Sequence, residues 1–166
     1  IYRETGPVPV KLRDLVKRYA TPATSARHYM GLTRTCYQKD IVGSPRKTGF
    51  GDEDVLVNRK KYLYALRGSI AIAWVRRYND VPPMSMPALL GHDVVPMDLR
   101  PKITEILHQK ATMGEYMKGS REPAFDAFIE DQIEWVRAQG LETVEPAPGF
   151  REEANDLLLT TLGVRG

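Results

Sequence analysis

Cations and aromatic rings fall together in the stretch Val57 to Arg67, VNRKKYLYALR. Wound as an α-helix, it brings Lys60, Tyr64 and Arg67 onto one face, because residues three and four apart are neighbours there. Leu63, Leu66 and Ile70 then hold the opposite side. A guanidinium fork binds phosphate oxygens in pairs, and a lysine toward the helix start adds a point charge, so this face could clamp successive phosphates of a polyanion. The bland alternative is a solvated basic face with Arg67 salt-bridged to an acidic helix. His28-Tyr29, just ahead of Met30, offers a general base or a base-stacking ring, although a histidine without a partner carboxylate is more often a hydrogen-bonded structural group. His92 and His108 read as loop and surface positions.

Other chemistry is absent from the pattern. There is no HExxH, no CxxC and no spaced carboxylate set to hold a metal, and neither a GxxxxGK[ST] nor a GxGxxG loop to cradle phosphates. No Ser-His-Asp arrangement can be asserted, so no catalytic centre assembles from the chain's own residues. The single cysteine, Cys36, rules out an intrachain disulfide and points to a reducing, cytoplasmic setting, with Cys36 itself a small buried hydrophobe. The 166 residues suit one domain, and 42% hydrophobic with 27% charged residues is a globular balance. No apolar run reaches the roughly 18 to 20 residues needed to span a bilayer. The longest, Leu63 to Val75, is interrupted by Arg67 and Gly68, which excludes membrane insertion. Charge is uneven: residues 1–78 sum to +10 and residues 79–166 to -7, and seven of the eight tyrosines lie in the basic half. Cations among stackable rings suit a nucleic-acid surface, but two halves that simply attract each other would show the same pattern.

These residues need elements to position them, and the periodicity is helical almost throughout. Val10 to Tyr19 reads as a short basic amphipathic helix with Val10, Leu12, Leu15, Val16 and Tyr19 on one face. Thr21-Pro22 opens a second helix through Tyr37, with Tyr29, Leu32 and Cys36 to one side. The glycines, proline and mixed charges of Lys39 to Asp54 read as an irregular, mobile loop. Asn58 caps the strongest helix, Arg59 to Arg77, whose Leu63, Leu66, Ile70 and Trp74 place it at the centre of the core. Further helices are expected from Ser85 to Leu90, from Asp98 to about Ala111, from Ser120 to Gln139 and from Glu152 to Leu162. Only Ile1 to Arg3 and Val55 to Val57 favour strands. The expected fold is all-α, about seven helices in an irregular bundle, with a helical region over 1–140 and a linker and terminal helix over 141–166.

The order IYRE at the start, RHYMGL at Arg27 to Leu32, NRKKYLYALR at Asn58 to Arg67, AWV at Ala73 to Val75, Pro82-Pro83 and then MPALL resembles the C-terminal portion of the polymerase-β-like nucleotidyltransferases of the RNA repair pathway, the RlaP-type family of bacteria and phages. The resemblance covers roughly residues 1–135 in the right order. It implies nucleotidyl transfer from a nucleoside triphosphate, with two Mg²⁺ ions held by carboxylates to activate an acceptor hydroxyl and neutralise the leaving pyrophosphate. The family's metal ligands sit in a Gly-Ser followed by an Asp-x-Asp motif on an α+β palm, which would precede the position of Ile1. Asp52-Glu53-Asp54 lies in a loop without that context and does not match. The chain therefore resembles the helical half of such an enzyme, with the palm absent and neither Mg²⁺ nor nucleotide expected to bind this part alone. The implied partners are the missing palm segment or chain, and RNA or another nucleotide acceptor. The positions carried over for phosphate or base contact are Lys60, Lys61, Tyr64 and Arg67, with His28 and Tyr29 as neighbours. A non-enzymatic helical module that binds nucleic acid or protein is the alternative expectation.

Overall fold

The computed structural model describes residues 7–43, 46–47, 55–113 and 118–164. Seven α-helices are present among them: α1 Pro7–Tyr19, α2 Pro22–Tyr37, α3 Arg59–Tyr78, α4 Met86–Leu90, α5 Leu99–Met113, α6 Pro123–Ala138 and α7 Phe150–Thr161. The fold is thus mostly helical, as the periodicity requires. It also contains a small antiparallel sheet of β1 Arg46–Lys47, β2 Val55–Asn58 and β3 Lys118–Ser120, with β2 in the middle. Leu56 pairs with Arg46 on one side and with Ser120 on the other.

The helix starts follow their caps. The Thr21 hydroxyl accepts from the Thr24 N–H at 3.1 Å while Thr24 reciprocates to the Thr21 N–H at 3.0 Å, a closed capping box. Asn58 Oδ1 accepts from the Lys60 N–H at 3.0 Å, and Ser85 Oγ from the Ala88 N–H at 3.3 Å. Asn79, in the left-handed region at φ 48°, ends α3 just before Val81-Pro82-Pro83.

Helix α3 forms the spine, with Tyr62, Leu63, Leu66, Ile70, Ile72 and Val75 buried among its neighbours. Its longest contact is with α2, and the two cross at Gly68, where a Cβ would lie 2.1 Å from Thr33 Oγ1. Gly68 therefore marks a close crossing of backbones. From α6, Phe125, Ile129 and Val136 complete one side of the core; Leu99, Ile103 and Ile106 of α5 complete another. Helices α1 and α7 pack on each other at the periphery.

Four expectations are corrected. On α2 the buried face is Ala26, Met30, Thr33 and Tyr37, leaving Leu32 49% exposed, because small residues are what admit α3 at close range. On α1 only Leu15 is buried, and Leu12 and Val16 are exposed. The segment after Tyr37 is more regular than a loop: Gln38–Val42 forms a π-helical turn with Ile41 buried, and Arg46–Lys47 joins the sheet. Ser120 ends β3, and α6 begins at Pro123, whose ring suits a first turn. Residues 1–3 and 52–54 lie outside the described residues.

Candidate functional site

Tyr64 and Arg67 of α3 line an open groove of about 270 Å³, together with Leu107 and Lys110 of α5 and with Met84 and Met86. Arg67 is held in place: its Nη2 donates to the Met84 carbonyl at 2.6 Å. Tyr64 is 44% exposed, with the Lys110 ammonium 5.9 Å from its ring centroid, inside cation–π range. Among the described residues, neither Arg67 nor Lys110 is ion-paired. Most other cations of the basic half are engaged, as in Arg18–Glu153 at 2.6 Å, Arg76–Asp131 at 2.9 Å and Arg34–Glu142 at 3.9 Å. The groove thus offers two cations and an aromatic ring beside apolar Leu63 and Leu107.

The remaining residues singled out in the sequence distribute around this groove. Lys60 lies one helical turn before Tyr64 on the same face, outside the groove lining, half-buried and already partnered. Lys61 points elsewhere and pairs with Asp40 at 3.2 Å. His28 and Tyr29, edge to face at 5.3 Å, line a second, larger cleft of about 600 Å³ between α1, α2, the Val81–Met84 turn and the chain entering α7. Met84 lines both hollows, the groove that contains Arg67 and the cleft that contains Tyr29.

Lys110 and Met84 were not legible as site residues. Both reach α3 only through tertiary packing, and a lone lysine on α5 carries no spacing signal. The same holds for a polar network elsewhere between α2, α3 and α6. Tyr37 donates to Glu130 Oε1 at 2.6 Å and Tyr62 to Asp126 Oδ1 at 2.7 Å, while Arg121 binds Asp126 through Nε at 2.6 Å and Tyr37 through Nη2 at 3.3 Å. Burial first, and then the hydrogen bond to a carboxylate, push both phenols far above their ordinary range. The network ties α6 to α2 and α3 and keeps the spine helix in position. Burial also raises the Cys36 thiol, with Asp40 adding to the effect, which makes it a poor nucleophile.

Among the described residues no three His, Cys, Asp or Glu side chains converge on one point. The described part therefore does not fit a carboxylate-held Mg²⁺ pair. No described helix is long and apolar enough to cross a membrane.

No solved structure matches the chain. An uncharacterized protein of Bacillus subtilis (strain 168), YcgL, is 26% identical over 162 residues, which is 98% of this chain and 58% of that protein. The chain thus spans less than two thirds of the relative it matches. The resemblance read from the ordered motifs agrees with a family model that covers residues 1–160, and on that match the chain belongs to the RlaP family, the RNA repair pathway DNA polymerase beta family.

Proposed function

We propose that this chain is the helical, substrate-binding part of a nucleotidyltransferase, corresponding to the C-terminal portion of its family. It holds RNA or another nucleotide acceptor in the cytoplasm, while a palm segment outside it supplies the carboxylates, Mg²⁺ and nucleoside triphosphate. Family membership supports the polymerase-β-like, RNA-repair side of this reading. The observation that carries the binding role is the groove of Arg67, Tyr64 and Lys110, whose two cations lack carboxylate partners among the described residues and flank an exposed ring. A fork and an ammonium suit phosphate, and a ring face suits a base.

Equilibrium binding of single-stranded RNA at several salt concentrations tests it. Each phosphate neutralised on a single strand contributes about 0.7 to the slope of log affinity against log salt, so Arg67→Ala with Lys110→Ala should flatten the slope by about 1.4. An unchanged slope would remove the phosphate-binding role. Incubated alone with RNA, Mg²⁺ and labelled nucleoside triphosphate, the chain should transfer no label; turnover would overturn the proposed division of labour.

A further inference from the structure

The larger cleft differs from the groove in kind. Two aromatic pairs line it, Tyr29 with His28 at 5.3 Å and Tyr19 with Phe150 at 5.6 Å, together with Val81 and Pro82. It is poorly suited to an anion. Arg27, the guanidinium in its lining, is spent on the Val144 carbonyl at 2.6 Å and faces Glu145 at 3.7 Å, and the Tyr19 hydroxyl is given to Glu153 at 2.6 Å. An uncharged, planar, heteroaromatic group fits such walls, and about 600 Å³ is within the range of small-molecule sites, roughly 300 to 1,000 Å³.

The cleft also adjoins the cationic groove. Met84, 76% exposed, lines both, and its carbonyl holds Arg67. An unbranched thioether there is an adaptable ridge that can move as a chain passes over it. We propose that groove and cleft form one track for single-stranded RNA: Arg67 and Lys110 hold successive phosphates, and an adjacent base, turned out of the strand across Met84, lodges in the cleft against Tyr29 and His28. This rests on the phosphate-binding reading of the groove and adds the site that recognises the base.

Gly31 supplies the test. It lies in the cleft lining on α2, and no atom beyond its own stretch of helix is within 4 Å of where its Cβ would stand, so Gly31→Leu narrows the cleft without a clash at the Cβ and on a helix that favours Leu over Gly. Two probes are compared by fluorescence anisotropy, an end-labelled oligoadenylate of about twelve nucleotides, within the usual single-strand site sizes, and an abasic phosphodiester of the same length. The wild-type chain should bind the oligoadenylate about 5-fold to 150-fold more tightly than the abasic strand, the range expected from stacking of one base. Gly31→Leu should reduce that difference severalfold and leave the salt slope intact; Arg67→Ala with Lys110→Ala should flatten the slope for both probes. Equal wild-type affinity for the two probes overturns the base site whether or not the variant folds. An oligoadenylate affinity unchanged by Gly31→Leu, with the slope still flattened by the double variant, overturns the base site alone. A slope that the double variant leaves untouched overturns the phosphate groove, and with it the shared track.

Discussion

The tyrosines divide sharply by what their hydroxyls meet. Tyr37 and Tyr62, at most 3% exposed, each give their proton to a carboxylate of α6, while Tyr64 keeps its ring at the surface. Ionising either buried phenol would place two negative oxygens side by side in a poorly solvated position. Their folded-state values lie well above the ordinary 10.0, so each contributes stability that is fully present below that value and lost as pH rises toward the folded one. In an alkaline titration followed by phenolate absorbance, Tyr37 and Tyr62 should ionise only as the chain unfolds, and Tyr37→Phe or Tyr62→Phe should each remove one late-titrating phenol. Tyr62→Phe also takes an acceptor from the Glu122 N–H and a donor from Asp126. Its cost should be about 2 kcal/mol by urea denaturation, the size of a hydrogen bond to a charged group. None of this was visible at the level of composition, because Tyr62 and Asp126 are 64 residues apart.

Helix starts at Thr21, Asn58 and Ser85 were legible because a cap is a local event: a side-chain oxygen and N–H groups two or three residues on. Which face each helix buries was not. On α2 the apolar count favours Tyr29, Leu32 and Cys36, yet the helix turns Ala26 and Thr33 inward because α3 approaches at Gly68. Thr33 is β-branched and its hydroxyl donates to the Ala65 carbonyl at 3.4 Å, so it cannot easily move aside. Gly68→Ala should therefore destabilise by about 1–3 kcal/mol through overpacking, despite Ala's better helix propensity; an unchanged denaturation midpoint would show that the crossing has slack. The α1–α7 pair is joined by Glu153, which accepts from the Tyr19 hydroxyl at 2.6 Å and pairs with Arg18 at 2.6 Å. The Tyr19 hydrogen bond is the main reason its carboxyl sits below the ordinary 4.5. A depressed acid stabilises above its ordinary value and ceases to do so as pH falls through the folded one. The hydrogen-exchange protection of α7, taken relative to the intrinsic rate at each pH, should accordingly fall below pH 4.5, and Glu153→Gln should make that protection insensitive to the change.

Across the whole molecule, the contrast between a basic first half and an acidic second half is largely consumed by the fold. Arg18, Arg27, Arg34, Arg59 and Arg76 each meet a carboxylate from beyond residue 100. These pairs are mostly exposed, and such pairs contribute little to stability. Raising salt from about 50 to 200 mM should leave the thermal midpoint nearly unchanged while RNA affinity falls about sevenfold for two phosphates, since only binding exchanges counterions for fixed charge. The amino-acid sequence by itself determined that the chain is helical, where three of its helices begin, that α3 is the spine and that its motifs belong to one family. Periodicity, capping and motif order are all properties of neighbouring residues. Tertiary structure alone decided that Arg67 is anchored on a carbonyl rather than a carboxylate, that Lys110 joins Tyr64 while Lys61 turns to Asp40, and that His28 and Tyr29 face a separate cleft. Those outcomes depend on how helices cross and on which cations are neutralised by distant acids, and a spacing rule within one helix carries no information about either.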